Sequence, residues 1–113
     1  SDTAPEDIIA ELNSDSLSVK VQIKNSWESE GKSFYQYDLT IENTSDSNCD
    51  RWEIDLPFNG DFALSDGWNG EYSVNGSTLH ITCKDYNGSI AAGESAKDIG
   101  FIVSGKKDLS VVE

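Results

Sequence analysis

The stretch that decides the fold is 72–83, with the sequence YSVNGSTLHITC. Apolar and polar residues alternate on both sides of the pair Asn75-Gly76. Alternation with a period of two is typical of a strand that buries one face, and Asn-Gly between two such runs favours a tight hairpin. The stretch therefore predicts two antiparallel strands, over 72–74 and 79–83.

The same alternation recurs along the rest of the chain, and clusters of Asn, Asp, Gly and Ser separate the runs. About seven short strands in 100 residues, with no helical period after residue 15, predict an all-β fold. We expect an antiparallel β-sandwich with immunoglobulin-like, jelly-roll-like architecture. Trp52 starts one inward row and is predicted to lie in the core. The further predicted strands are 17–23, 35–41, 52–58, 99–103 and 109–111.

The length of 113 residues corresponds to one domain. We assign the sandwich to 16–113. Residues 1–15 carry five acids and no base, which predicts an acidic linker or N-terminal extension, with one packed helical turn as the alternative. The absence of an initiator Met suggests a module excised from a longer protein with further domains. We expect it to be a monomer.

The charge balance excludes two classes of partner. Asp and Glu number 21 against 8 Lys and Arg, which gives a net charge of −13. Such a chain releases no counterions from phosphates, so we predict no nucleic-acid partner. Anionic membrane surfaces are disfavoured for the same reason, and no apolar run approaches the roughly 20 residues that span a bilayer.

The two cysteines, Cys49 and Cys83, form no CxxC motif, and His80 is the only histidine. Zinc is therefore disfavoured. Calcium bound by oxygen ligands of the Asp-rich loop 44–50 is an alternative, but no EF-hand spacing occurs there, and we predict no metal and no cofactor. A disulfide between the two cysteines would close a loop of about 35 residues and stabilise the fold by about 3–4 kcal/mol. Two buried free thiols are the alternative.

No catalytic motif occurs in the chain, and a sandwich of this size leaves little room for a cleft around two carboxylates. We therefore predict that the chain is not an enzyme. Three aromatic residues carry more information, because Trp27, Trp68 and Tyr86 fit no inward row and stand among turn-forming residues.

A cluster of exposed aromatic rings marks a binding surface; the alternative is that each ring folds over an end of the core. Sugar rings offer C–H groups on one face and hydroxyls around the rim. An aromatic ring complements the C–H face, and removing about 80 Å² from water contributes about 2 kcal/mol per ring. Asn25, Asn69 and Asn87 flank the three rings and could bond the hydroxyls.

These residues resemble the family 2 carbohydrate-binding modules over about residues 17–105. The most specific segment is 86–101. The shared motifs are Asn25-Ser26-Trp27, the run 39–44 that ends in Asn43-Thr44, Trp52-Glu53-Ile54, Trp68-Asn69, the run 86–93 and Ile99-Gly100-Phe101. The resemblance implies non-catalytic binding of cellulose, with xylan next, on a flat face formed by Trp27, Trp68 and Tyr86. It also implies a secreted or cell-surface accessory domain of a glycoside hydrolase.

A second function belongs to a different class. The segment 28–35, ESEGKSFY, is longer and more charged than the corresponding link in that family. Together with the acidic surface, it favours a structural, sensor or protein-interaction module that has lost its glycan. The two hypotheses differ in one observable feature, since a glycan module requires the three rings on one surface.

Overall fold

The alternating runs form antiparallel strands that pack as two sheets. The computed structural model describes residues 8–113, and within them eight β-strands occur. Their bounds are β1 Ile8–Asn13, β2 Leu17–Ser29, β3 Lys32–Asn43, β4 Glu53–Pro57, β5 Phe62–Trp68, β6 Glu71–Asn75, β7 Thr78–Thr82 and β8 Ser95–Gly105.

One sheet has five strands in the order β1-β2-β3-β8-β5, and the other has three in the order β4-β7-β6. Every pair of neighbouring strands is antiparallel. The predicted β-sandwich is confirmed. The predicted hairpin is also present as β6–β7, with Asn75 paired to Thr78 and Gly76, at φ 63°, in the two-residue turn.

The core lies between the sheets and consists of the predicted inward rows. Trp52 is 1% exposed, as expected for the start of an inward row. Full burial of one large apolar side chain contributes about 1.5–3 kcal/mol, so these rows hold the two sheets together. The other fully buried apolar side chains are Val21, Tyr37, Leu39, Ile41, Leu56, Leu79, Ile81, Ile99, Phe101 and Val103.

The β2–β3 hairpin is longer than its sequence pattern suggests. Trp27, predicted in a loop, lies on β2 opposite Phe34. The register shifts between Ile23 and Asn25, and this bulge moves the alternation by one residue and hides the strand that follows. Glu30 and Gly31, at φ 52° and 79°, form the turn. Positive φ at both turn residues matches the twist of a tight hairpin.

The linker and helical-turn interpretations of 1–15 are wrong for Ile8–Asn13, which form β1. A register shift between Ile8 and Ala10 breaks the alternation there, so the sequence shows no strand period. Ala10 is nevertheless 3% exposed and faces the core. Residues 1–7 of the predicted linker lie outside the described residues.

Strand β5 was not predicted, because Asp, Ser and Gly within 62–68 indicate turns. A register shift between Leu64 and Asp66 also interrupts its alternation. In contrast, the predicted strand 109–111 is reduced to one bridge between Val111 and Phe58. Leu109 and Val111 are still buried, as their spacing indicates.

The possible disulfide is not formed. Cys49 and Cys83 are free thiols, half-buried and buried, respectively. Cys49 pairs through its backbone with Ile90, whereas Cys83 lies at the end of the inward row of β7 and packs against Gly88. The alternative of two free thiols is therefore the one present in the structure.

His80 lies on the outer surface of the three-stranded sheet between two carboxylates. Its Nδ1 lies 2.6 Å from Asp55 Oδ1, and its Nε2 lies 2.8 Å from Glu53 Oε2. The hydrogen bond to Asp55 is the largest cause that raises the pKa of His80, and Glu53 adds to the effect. The two contacts therefore favour the protonated imidazole in the folded chain.

We expect this raised pKa to make the stability of the fold depend on pH. A raised folded pKa stabilises the fold below the unfolded value of 6.5, and the contribution disappears as pH rises through the folded value. Urea midpoints measured from about pH 5.5 to 8.5 should therefore fall with rising pH. His80→Gln should remove most of this dependence, and an unchanged profile in that variant would assign it to other groups.

Candidate aromatic binding face

Trp27 and Trp68 lie on the same side of the five-stranded sheet. Trp27 is opposite Phe34, Phe34 is opposite Ser104, and Trp68 is opposite Gly100. Directly paired residues share a face, and residues an even number apart on one strand point to the same side. Gly100 and Ser104 are four residues apart on β8. All of these residues therefore lie on the side that faces away from the core, which we call the outer face.

The two tryptophans stand at opposite corners of the outer face. Their rows are four residues apart along β8, or about 13 Å, and three strand spacings separate β2 from β5, or about 14 Å. The two Cα atoms are therefore roughly 19 Å apart on a flat sheet. One extended polysaccharide chain could cross both positions, whereas one sugar ring could not.

Trp68 packs directly on Gly100. A Cβ atom at position 100 would lie 2.4 Å from Cζ2 and 2.5 Å from Cε2 of the indole, closer than any side chain can approach. The missing side chain thus provides the place where the half-buried ring rests.

Tyr72 packs against the core and contacts the backbone of Trp68 and Gly100 from the inner side of the sheet. Its hydroxyl lies 2.9 Å from the Trp68 carbonyl oxygen and 2.5 Å from that of Gly100, and donates to this pair. Burial is the largest cause that raises the pKa of Tyr72 far above its usual value, so the hydroxyl remains a donor. The backbones of β5 and β8 are thereby joined under the ring.

Trp27 lies against Phe34, its partner on β3. The two ring planes are 1° from parallel and their centroids are 5.5 Å apart, an offset stack of the kind that aromatic pairs prefer. Phe34 therefore covers one face of the indole. Trp27 remains 38% exposed, which leaves apolar surface available to a ligand.

Tyr86 is in the loop between β7 and β8 and is 72% exposed. Its hydroxyl donates to Asn69 Oδ1 over 2.6 Å, so it stands beside the residue that follows Trp68. Asn69 Nδ2 donates to the Asp98 carbonyl oxygen over 2.6 Å. Tyr86, Asn69 and Trp68 thus form one end of the site.

The other two predicted asparagines have different surroundings. Asn87 donates from Nδ2 to the Asn69 carbonyl oxygen over 2.8 Å and accepts at Oδ1 from the Lys84 amide over 2.8 Å. Asn25 is exposed on β2, opposite Gln36, and its Oδ1 accepts from the Ser26 amide over 2.9 Å. Asn87 therefore belongs to the Trp68 end of the site and Asn25 to the Trp27 end.

Carboxylates make the Trp68 end of the site acidic. Asp38 is opposite Gly100 on β3, in the same row as Trp68. Its pKa is raised chiefly by burial, while Lys24 lowers it and Asp98 raises it. A half-buried carboxylate accepts hydrogen bonds from hydroxyl donors and repels anions. The surroundings of Trp68 therefore suit a neutral polyol.

Sequence reasoning did not assign roles to Phe34, Tyr72 or Gly100. Gly100 is part of the motif Ile99-Gly100-Phe101, which marked this position in the sequence. Its contact with the Trp68 ring, however, depends on the pairing of β5 with β8. Phe34 became recognisable as the partner of Trp27 only once the hairpin register was known.

Residues 8–113 contain neither a candidate metal site nor a membrane-spanning helix. No group of three or more His, Cys, Asp or Glu side chains is placed to hold a metal ion. That part of the chain also contains no helix with the length and apolar character needed to cross a membrane.

The exposed rings on a broad sheet face define a binding module of the β-sandwich class. The family model described as cellulose binding domain matches residues 17–112. The chain therefore belongs to this family, the family 2 carbohydrate-binding modules, whose members bind polysaccharides. The resemblance predicted from the motifs is confirmed.

Individual relatives agree with this assignment. Endoglucanase A of Thermobispora bispora is 30% identical over 76 residues, which cover 67% of this chain. The chain spans only 16% of the length of that enzyme.

Among solved structures, the chitin-binding domain of Chi18aC from Streptomyces coelicolor shares the fold. Its TM-score is 0.67 at 19% identity, and 87% of each chain is covered. The chitin-binding domain of a Pyrococcus furiosus chitinase has a TM-score of 0.63 at 21% identity, with 87% of this chain and 88% of that one covered.

Proposed function

We propose that this chain binds a β-1,4-linked polysaccharide, cellulose first, by stacking sugar rings on Trp27, Trp68 and Tyr86. The observation that carries the proposal is that both tryptophans lie on one outer face and that Tyr86 is hydrogen-bonded to Asn69, the residue that follows Trp68. The role is non-catalytic, since stacking on an open sheet face requires no reacting group.

The affinity should be modest. Each ring contributes about 2 kcal/mol when a sugar covers about 80 Å² of it, and association costs offset part of the sum. Three rings therefore support binding in the micromolar range or weaker. Bonds from Asn25, Asn69 and Asn87 to sugar hydroxyls stay a prediction; all three side chains already have hydrogen-bond partners within the chain.

Chitin is the second candidate ligand, because the two solved structures described above are named as chitin-binding domains. Cellulose stands first because the family model and the endoglucanase relative both indicate it. Xylan, the next choice from the sequence, gains no support from these relatives. The structural or sensor role would become the better explanation if no polysaccharide bound.

The context of the module follows the same relatives. We propose that it works as a monomer outside the cell, as an accessory domain of a glycoside hydrolase. The 16% share of the endoglucanase supports attachment to a larger enzyme.

The test is depletion of the native chain from solution by insoluble cellulose, chitin and xylan. We expect retention on cellulose, weaker retention on chitin and the least on xylan. Val74→Ala is the matched control, because Val74 is an exposed apolar residue on β6, outside the outer face. Loss of binding in that variant, or no retention of the native chain on any solid, would contradict the proposal.

A further inference from the structure

We propose that Asn69 is a positioning residue that holds the ring of Tyr86 beside Trp68, so that its side chain acts on the polysaccharide through Tyr86. This inference rests on the proposed function of the outer face. It gives Asn69 a role different from the direct sugar contact that its sequence position suggested.

The side chain of Asn69 is engaged at both ends. Its Oδ1 accepts from the Tyr86 hydroxyl and its Nδ2 donates to the Asp98 carbonyl oxygen, each over 2.6 Å. Asn69 itself adopts φ 58°, a left-handed conformation that asparagine tolerates better than most residues. This backbone conformation places the amide between two segments that are distant in sequence.

The backbone of Asn69 is fixed in turn by Asn87. Asn87 Nδ2 donates to the Asn69 carbonyl oxygen over 2.8 Å, and the Asn87 carbonyl oxygen accepts from Trp52 Nε1 over 2.8 Å. Trp52 is 1% exposed. A continuous series of hydrogen bonds therefore leads from a core indole to the most exposed ring of the site.

This connection matters because Tyr86 projects into solvent. A side chain that must be immobilised on binding costs about 0.5–1.5 kcal/mol. The bond to Asn69 fixes the phenol before the ligand arrives, so that part of this cost is already met in the free protein. Removing the bond should weaken binding even though both aromatic faces remain.

Two variants separate positioning from direct contact. Asn69→Gly removes the side chain and keeps the backbone, because glycine readily adopts φ near 58°. Tyr86→Phe keeps the ring and removes the hydroxyl. We expect each variant to bind cellulose about fivefold more weakly, which corresponds to about 1 kcal/mol. We expect the double variant to bind no more weakly than either single variant.

Direct contact between Asn69 and the sugar predicts a different result for the double variant. If Asn69 bonded the sugar itself, the double variant would lose the product of the two single effects, about 25-fold. That result, or unchanged binding in Asn69→Gly, would overturn the proposal. Urea unfolding of each variant should show that the fold is retained, so that lost binding is not lost structure.

A measurement on the free protein tests the role of Asn69 independently of the proposed polysaccharide binding. In NMR spectra of the free native chain, we expect nuclear Overhauser contacts between the Tyr86 ring and the Asn69 side chain, and their loss in Tyr86→Phe. If the native chain binds no solid, the proposed function fails, and these contacts still decide whether Asn69 holds the ring. Their absence from the native spectra would overturn the inference.

Discussion

Replacing Trp68 by alanine should lower the affinity for cellulose about 30-fold. The half-buried indole offers its open face to the ligand, and about 80 Å² of apolar contact corresponds to about 2 kcal/mol, or a factor of about 30. Retention on insoluble cellulose, compared with that of the native chain over a range of protein concentrations, measures the change.

Gly100→Ala is the matched variant for this prediction, because it retains the indole of Trp68 but places a methyl group where the ring packs on β8. The new methyl group would stand 2.4 Å from Cζ2, so the ring must move off β8. We expect binding to fall about tenfold, less than for Trp68→Ala, with a loss of about 1–3 kcal/mol in stability from overpacking. Native affinity in Gly100→Ala would show that the position of the ring on β8 is irrelevant to the ligand.

The second large effect concerns stability. Asn43→Ala should lower the free energy of unfolding by about 3 kcal/mol, because it removes four hydrogen bonds of a buried side chain, each worth about 0.5–1.5 kcal/mol. Asn43 is 0% exposed. Its Nδ2 donates to the carbonyl oxygens of Ser47 and Ile90 over 2.7 and 2.9 Å, and its Oδ1 accepts from the amide and hydroxyl of Ser45 over 3.0 and 2.7 Å.

Urea unfolding measures this change, and the melting temperature should fall by about 10 °C. Asn48→Ala is the matched control, since Asn48 is exposed in the same loop, and it should alter stability by less than about 0.5 kcal/mol. A loss below 1 kcal/mol in Asn43→Ala would mean that water replaces the lost hydrogen bonds.

The fold was predictable where the alternation is unbroken, as in the inward rows of β3 and β7 and in 99–103 of β8, which follow a register shift against β3. It was hidden where a bulge moves the pattern by one residue, at Ile23/Asn25 in β2 and Leu64/Asp66 in β5. A bulge depends on the partner strand, which a single sequence does not show. Strand β1 was missed for the same reason, at Ile8/Ala10.

The candidate site was predictable at the level of its aromatic residues, because large rings among polar residues have no place in an inward row. What holds those rings was not predictable. Trp68 packs on Gly100, which is 32 positions away in the sequence. The stacking of Trp27 on Phe34 depends on the register of the β2–β3 hairpin. Both depend on tertiary pairing.

The position of β8 determines the order in which the chain can become functional during synthesis. Of the eight described strands it is the last to leave the ribosome, yet it lies between β3 and β5. The β2–β3 hairpin can close early because its contacts are local, whereas β5 has no partner in that sheet until 95–105 are available. Trp68 cannot rest on Gly100 before then. The ability to bind is therefore acquired last, and a nascent chain stopped before β8 would carry the aromatic residues without the face that arranges them.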